Sequence, residues 1–404
     1  MRIFSLLPLL ALTLTATTFA ADWPQFRGPD STAVAPEAQI PAQPKIDWSV
    51  DLPGRGLASP IIVGKKLFIT CASGPKQERL HLFCLDPESG GKIWERQLQA
   101  TGRTMSHPKT SIASSTPCSD GQRVFALWSS NDLAAFDLEG NLLWVRGLTA
   151  DYPNASNSLG MASSPIVIGE TVVVMIENDS ESYSLGVDVK TGRNLWKLER
   201  PKSANWTSPV PWRADAHAAP IVVLQSSKGL VAVDPASGSR LWEYAEGAST
   251  MSSSVVASGI IYAVSNGITA LSPQASNAAP NQLWRSKQIN PATVSPVVLG
   301  ERIYSLNGAG VVSAAEIKSG DLKWKLRTTG PYSGSPVAAG SRVFLVNEKG
   351  LVQVVDTVAA EGAVAGTLQL PLKAETKELV LCTPAISGNH VYVRTDSKLW
   401  RLGE

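Results

Sequence analysis

Leu230-Val-Ala-Val-Asp234-Pro-Ala-Ser-Gly238-Ser-Arg-Leu-Trp242 decides the architecture of this 404-residue chain, because the same phrase returns along its length. An alternating apolar run leads to an aspartate, a glycine and a tryptophan. Leu82 to Asp86 with Gly90 and Trp94 is one further copy, and Leu133 to Asp137 with Gly140 and Trp144 is another. Gly186-Val-Asp188 with Gly192 and Trp196 is a third. A second phrase precedes each: a small residue, proline, two or three apolar residues and a glycine, first seen from Ser59-Pro60 to Gly64. These openings fall at Pro60, Pro117, Pro165, Pro209, Val255, Pro296, Pro336 and Pro384, with Val255 read at the proline position after Ser254. Their spacings are 57, 48, 44, 46, 41, 40 and 48 residues. Units of this length cannot bury their apolar faces alone and must stack on their neighbours. Each holds short runs with period-2 alternation bounded by Gly, Pro and Asp turns. The pattern predicts an all-β, eight-bladed β-propeller of four-stranded antiparallel blades.

The two ends complete each other. Seven tryptophans fill the repeat position: Trp48, Trp94, Trp144, Trp196, Trp242, Trp284 and Trp324. Thr367-Leu368-Gln369-Leu370 is read as the equivalent place in the seventh unit. Trp48 precedes the first opening, so Ile46-Asp47-Trp48-Ser49-Val50 is a fourth strand without a blade. The last unit ends at Leu399-Trp400-Arg401-Leu402, which aligns with a third strand. Pairing the N-terminal strand with the last blade closes the ring and removes exposed edges.

Three segments are expected: a signal peptide over 1–20, an extended N-terminal segment over 21–44 and the propeller over 45–404. Arg2, the apolar run Ile3 to Leu14 and the small-x-small site Thr18-Phe19-Ala20 read as a cleaved export signal near Ala20. The first cysteine is Cys71, so no cysteine stands at the cleavage site to carry a lipid anchor. A periplasmic or secreted protein without a membrane span is expected. The net charge is +2 with both signs mixed, which gives no footprint for nucleic acid. Cys118 and Cys382 read as reduced thiols, with a cross-strand Cys71–Cys84 bridge left open. The chain contains no HExxH, CxxC or glycine-rich phosphate loop, and no catalytic or metal set is assigned. The recurrent aspartates read as turn residues and the repeat tryptophans as packing between blades.

Asp188-Val-Lys-Thr-Gly192-Arg-Asn-Leu-Trp196 and Asp234 to Trp242 resemble the pyrroloquinoline quinone (PQQ) type propeller repeat. Asp22-Trp-Pro-Gln-Phe-Arg-Gly-Pro29 and His107-Pro-Lys109 with Ser114-Ser-Thr-Pro117 are similar to a family of exported PQQ-like propellers. The resemblance implies the eight-bladed fold and no particular reaction. Quinoprotein dehydrogenases share the repeat and hold PQQ and calcium over the propeller centre. They use adjacent cysteines, which this chain does not have, so no cofactor is expected. The propeller lipoprotein of the outer-membrane β-barrel assembly machine is also related in repeat type, but it carries a lipid anchor.

Two connections break the period. Trp94 to Pro117 takes 23 residues and Trp144 to Pro165 takes 21, against 12 or 13 in most units. Long connections on a rigid scaffold carry function more often than its strands do. All such crossings emerge on one face, so Arg103, His107 and Lys109, Tyr152 and Asn157, and Arg55, Trp206 and Tyr332 are expected to form one ligand or partner face. Cations and aromatics there suit a protein, a peptide or a small anionic or sugar-like ligand. The expected function is a monomeric binding or scaffolding module, with a PQQ-binding oxidoreductase and an outer-membrane assembly factor as alternatives. Deleting Ala21 to Val50 is expected to expose a sheet edge and cause aggregation or a large fall in melting temperature. A truncated chain that stays monomeric with unchanged melting would refute ring closure.

Overall fold

The structure, a computed structural model, describes residues 22–155, 159–215, 217–274, 278–359, 361–373, 375 and 378–404. The leader expected over 1–20 lies outside them. Eight antiparallel sheets succeed one another along the chain, and seven are built of four consecutive strands. Blade 1, for example, is Ile61–Val63, Lys66–Ser73, Arg79–Leu85 and Lys92–Gln99. The eighth combines Ala385–Ser387, His390–Arg394 and Lys398–Gly403 with the N-terminal strand Lys45–Asp51. That strand runs antiparallel to Lys398–Gly403, with Val50 opposite Leu399 and Ile46 opposite Leu402. The ring closes as the sequence predicts.

Every fourth strand carries one bulge in the same place. In blade 4, Trp242 pairs with Ala232 but Arg240 pairs with Val233, so Leu241 is the extra residue. The bulged residues Ile93, Leu143, Leu195 and Leu283 are exposed apolar side chains for this reason. The bulge also sets the tryptophan opposite a small residue: Cys84, Ala135, Gly186, Ala232, Ala270 or Ala314. At Gly186 a methyl group would sit 2.1 Å from the Trp196 ring. Apart from Trp242, each repeat ring then covers the turn glycine of the next blade. A Cβ on Gly140 would meet Trp94, one on Gly192 would meet Trp144 and one on Gly238 would meet Trp196, all under 3.0 Å. Gly238 also has φ +70°, which glycine takes without strain. The Trp196 Nε1 donates to Pro235 O at 2.8 Å, and Trp144 Nε1 donates to Val189 O at 3.0 Å. Asp188 Oδ1 accepts from the backbone N–H groups of Lys190 and Thr191, and the Thr191 hydroxyl is the leading cause of a pKa below the usual carboxylate range. Turn and packing roles for these residues follow directly.

Three details differ from the sequence reading. The first strand of blade 5 begins at Val255, as that of blade 1 begins at Ile61 after Pro60, so Ser254 and not Val255 holds the proline position. Alignment on the repeated phrase slipped by one residue where the proline was missing. In blade 7 the bulge register places Gly366, opposite Val354, at the tryptophan position, not Thr367 to Leu370. A side chain there would strike Ala42 O at 2.1 Å, because the N-terminal chain passes over that spot. The third concerns sulfur. Cys71 pairs with His81 and Cys84 with Phe68, so the two are not opposite one another, and all four cysteines are free and buried. Burial pushes the Cys71 and Cys84 thiols up to about 12.

Residues 22–40 pack against the innermost strands of the ring, with Pro29, Asp30, Pro36 and Glu37 left exposed. Trp23 exchanges backbone hydrogen bonds with Ile62 on the innermost strand of blade 1. Pro24 O accepts from Ser119 N in blade 2, and Arg27 donates to Pro296 O beside blade 6. Val34–Ala35 then adds a parallel strand to Val337–Ala339 of blade 7. Trp23 and Ile40 are each 1% exposed. The segment therefore fills part of the central channel before it becomes the closing strand.

Trp196→Ala is expected to cost about 3–5 kcal/mol in denaturant unfolding, as large aromatic truncations in cores do. Gly186→Ala should also destabilise, since its methyl group has no space beside the same ring. A silent result for both would refute the clasp between blades.

Candidate functional site

A hydroxyl-bearing residue stands immediately before the proline position of every blade: Ser59, Thr116, Ser164, Ser208, Ser253, Ser295, Ser335 and Thr383. A following proline biases its predecessor to extended backbone. The peptide N–H of each residue then points away from its own blade and needs a partner. At seven of the eight junctions the hydroxyl of the next blade supplies it. Ser59 N donates to Thr116 Oγ1, Thr116 N to Ser164 Oγ, Ser164 N to Ser208 Oγ and Ser208 N to Ser253 Oγ, all at 2.9–3.0 Å. Ser253 N to Ser295 Oγ, Ser295 N to Ser335 Oγ and Ser335 N to Thr383 Oγ1 continue the series at the same lengths. The Ser59 hydroxyl donates to Thr383 O at 2.5 Å and completes a collar around the axis.

The collar surrounds the inner part of a cavity of about 510 Å³ that opens on the face of the inter-blade crossings. Phe26, from the segment inside the channel, lines it together with the collar. Its wall is mainly apolar and aromatic: Leu57, Leu159, Trp206, Met251, Tyr332 and Leu381. Trp206 is fixed by its Nε1, which donates to Gly160 O at 2.8 Å. The Tyr332 hydroxyl donates to Thr328 Oγ1 at 2.9 Å and accepts from Gln353. Burial raises the Tyr332 pKa above its ordinary value.

Four of the residues expected on this face reach the cavity: His107, Lys109, Trp206 and Tyr332. Lys109 Nζ lies 2.8 and 3.0 Å from the two oxygens of Glu348, which also accepts from Ser333 Oγ at 2.7 Å. The wall thus carries a paired charge and not a free cation. His107 is exposed, and its Nδ1 accepts from Lys109 N at 3.1 Å. The others do not converge. Arg55 binds Asp396 at 2.7 Å and donates to Pro108 O at 2.5 Å, so it anchors the first long crossing from behind. Arg103 contacts Met105 Sδ at 3.7 Å and does not line the cavity. Tyr152 packs on Tyr183 with ring centres 4.5 Å apart and accepts from Asn194 of an outer strand. Asn157 lies outside the described residues. Sequence reading missed the collar, Phe26 and Glu348. The signal for the collar was present in the hydroxyl before each proline, but strand chemistry alone also explained it.

The family described as "Outer membrane protein assembly factor BamB", a PQQ-type repeat family, matches residues 45–197, 156–290 and 274–402. The chain belongs to this family. The overlapping matches run through all eight blades. No curated protein matches the chain closely enough in sequence to count as a relative. Among solved structures, BamB from Moraxella catarrhalis is 15% identical over 89% of this chain and 98% of its own, with a TM-score of 0.64. Quinohemoprotein alcohol dehydrogenase from Comamonas testosteroni is 14% identical over 95% and 81%, with a TM-score of 0.68. A europium-containing methanol dehydrogenase is 12% identical over 95% and 98%, with a TM-score of 0.70. At these identities the likeness is one of fold. It raises the question of a quinone cofactor. Among the described residues no group of three or more His, Cys, Asp or Glu side chains is placed to hold a metal, and the wall lysine is taken by Glu348. No described helix is long and apolar enough to cross a membrane.

Ser208→Ala leaves the buried Ser164 N–H without its acceptor. It should cost about 1–3 kcal/mol in denaturant unfolding, the penalty for an unsatisfied buried donor. An unchanged unfolding free energy would show that the collar bonds contribute nothing.

Proposed function

We propose that this protein is an exported binding propeller whose ligand seats in the collared cavity, and that the ligand is sugar-like. The observation that carries the reading is the pairing of a hydroxyl ring with an aromatic and apolar wall. Seven collar oxygens accept a neighbour's N–H, and within the collar only Ser59 spends its own proton on a protein acceptor. The remaining hydroxyls are donors for a ligand rich in oxygen acceptors. Trp206 and Tyr332 supply flat apolar faces above them. The volume falls in the range of small-molecule sites. The Lys109–Glu348 pair has no net charge, which favours a neutral ligand over an anion.

Family membership supports a second reading, a scaffold for outer-membrane protein assembly, in which the same face meets a protein. Titrating the full chain with cello- and malto-oligosaccharides, followed by tryptophan fluorescence, separates the two. Saturable binding is expected, weakened in Trp206→Ala by about tenfold, or ~1.4 kcal/mol. No sugar binding, together with co-purification of outer-membrane barrel proteins, would replace this reading with the scaffold. Stoichiometric PQQ binding with quinone absorbance would replace it with an oxidoreductase.

A further inference from the structure

Blade 1 carries three side chains in a different arrangement, away from the collared cavity. Ser73 Oγ lies 2.7 Å from His81 Nε2, and His81 Nδ1 lies 2.9 Å from Glu95 Oε1. They sit on three successive strands, Lys66–Ser73, Arg79–Leu85 and Lys92–Gln99. The ladder explains the geometry. Ser73 is paired with Arg79 and Glu95 with Phe83, so each lies diagonally across from His81 on one face of the sheet. The imidazole is held in place: its side chain is 4% exposed and its ring stacks on Phe83 at 5.8 Å and 13°. Burial alone would raise the Glu95 pKa, but hydrogen bonds from Lys92, His81 and Gln97 outweigh it and lower the value. An ionised carboxylate only accepts, so Nδ1 carries the ring proton and Nε2 offers its lone pair to the Ser73 hydroxyl. This is the order of partners that activates a serine nucleophile.

The face opens on a groove of about 560 Å³ between blade 1 and the closing strand of blade 8. Val50, Leu52, Phe83 and Leu85 give it apolar walls, and Arg79 lines it on the strand position opposite Ser73. We propose that Ser73, His81 and Glu95 form an acyl-transfer site that hydrolyses carboxylic esters with an apolar acyl group. The Ser73 oxygen bonds to the ester carbonyl carbon while its proton passes to His81 Nε2. The carbon–oxygen bond to the alcohol breaks, and that alcohol leaves with the proton. Water then adds to the acyl carbon, giving its proton through His81 to Ser73 as the acyl–Ser73 bond breaks. Arg79 is the cation available to the oxyanion, and Glu95 is a positioning residue for His81. This site is independent of the collared cavity, and ring closure builds one wall of it.

The test uses the full purified chain. A fluorophosphonate probe should form a covalent phosphonyl adduct, with loss of fluoride, that mass spectrometry maps to Ser73. p-Nitrophenyl butyrate should be hydrolysed with a rate lowered at least ~100-fold in Ser73→Ala and His81→Asn, the scale of losing a nucleophile or base. Glu95→Gln should lower kcat with little change in KM, and Glu95→Asp should recover part of the loss. Ser73→Cys should place a thiol that iodoacetamide alkylates faster than the four buried native cysteines. Melting by tryptophan fluorescence reports whether each variant folds. Should Ser73→Ala fail to fold, the adduct map of the unaltered chain decides by itself. An adduct on another serine, no adduct, or equal esterase rates in a folded Ser73→Ala would overturn the proposal.

Discussion

The pairing of Lys45–Asp51 with Lys398–Gly403 is the constraint on which the rest of the molecule depends. A blade has two apolar faces and no means of covering both, so an open row of eight would expose one face at each end. Taking the last strand of blade 8 from the opposite end of the chain turns the row into a ring. It also fixes the path of the residues just before it. Residues 22–40 enter across the innermost strands of blades 1, 2 and 7, and from there the chain has little choice but to lie in the channel. The glycine at position 366 is a local consequence, since Ala42 occupies the space a repeat tryptophan would need.

Two kinds of contact then join neighbouring blades, at different radii. Near the axis, a hydroxyl of one blade accepts the N–H of the blade before it at seven junctions, and at the eighth the Ser59 hydroxyl donates to Thr383 O. Further out, a tryptophan covers the turn glycine of the next blade, and several donate their indole N–H to that turn. The first contact is polar and directional. The second buries large apolar area, which is stabilising. Exposed pairs between turns, such as Lys318 with Glu301, contribute little by comparison.

Both candidate sites arise from this assembly. The collar is a structural device whose spare hydroxyl protons face a cavity, so the same residues that align the blades are available to a ligand. The groove beside Ser73 exists only at the seam where the two ends of the chain meet. Membership of the family described as "Outer membrane protein assembly factor BamB" accounts for the repeat and the closure. It does not account for the Ser73–His81–Glu95 alignment, which belongs to one blade and not to the repeat.

The sequence by itself determined the blade count, the closing strand and the roles of the repeated Asp, Gly and Trp residues. These are local and periodic: alternation, turn chemistry and one large apolar side chain recur at fixed offsets, and repetition makes each copy evidence for the others. Where repetition lapsed, the reading slipped, at Ser254 by one residue and at Gly366 by confusing a missing tryptophan with its neighbours. The tertiary structure alone decided what meets at a site. Lys109 and Glu348 are 239 residues apart and pair across the channel. Arg103 and Tyr152 share a face with His107 in sequence logic, yet their side chains are taken up elsewhere. Ser73, His81 and Glu95 are near in sequence, but only strand register sets all three on one face, because a shift of one residue would turn any of them to the other side.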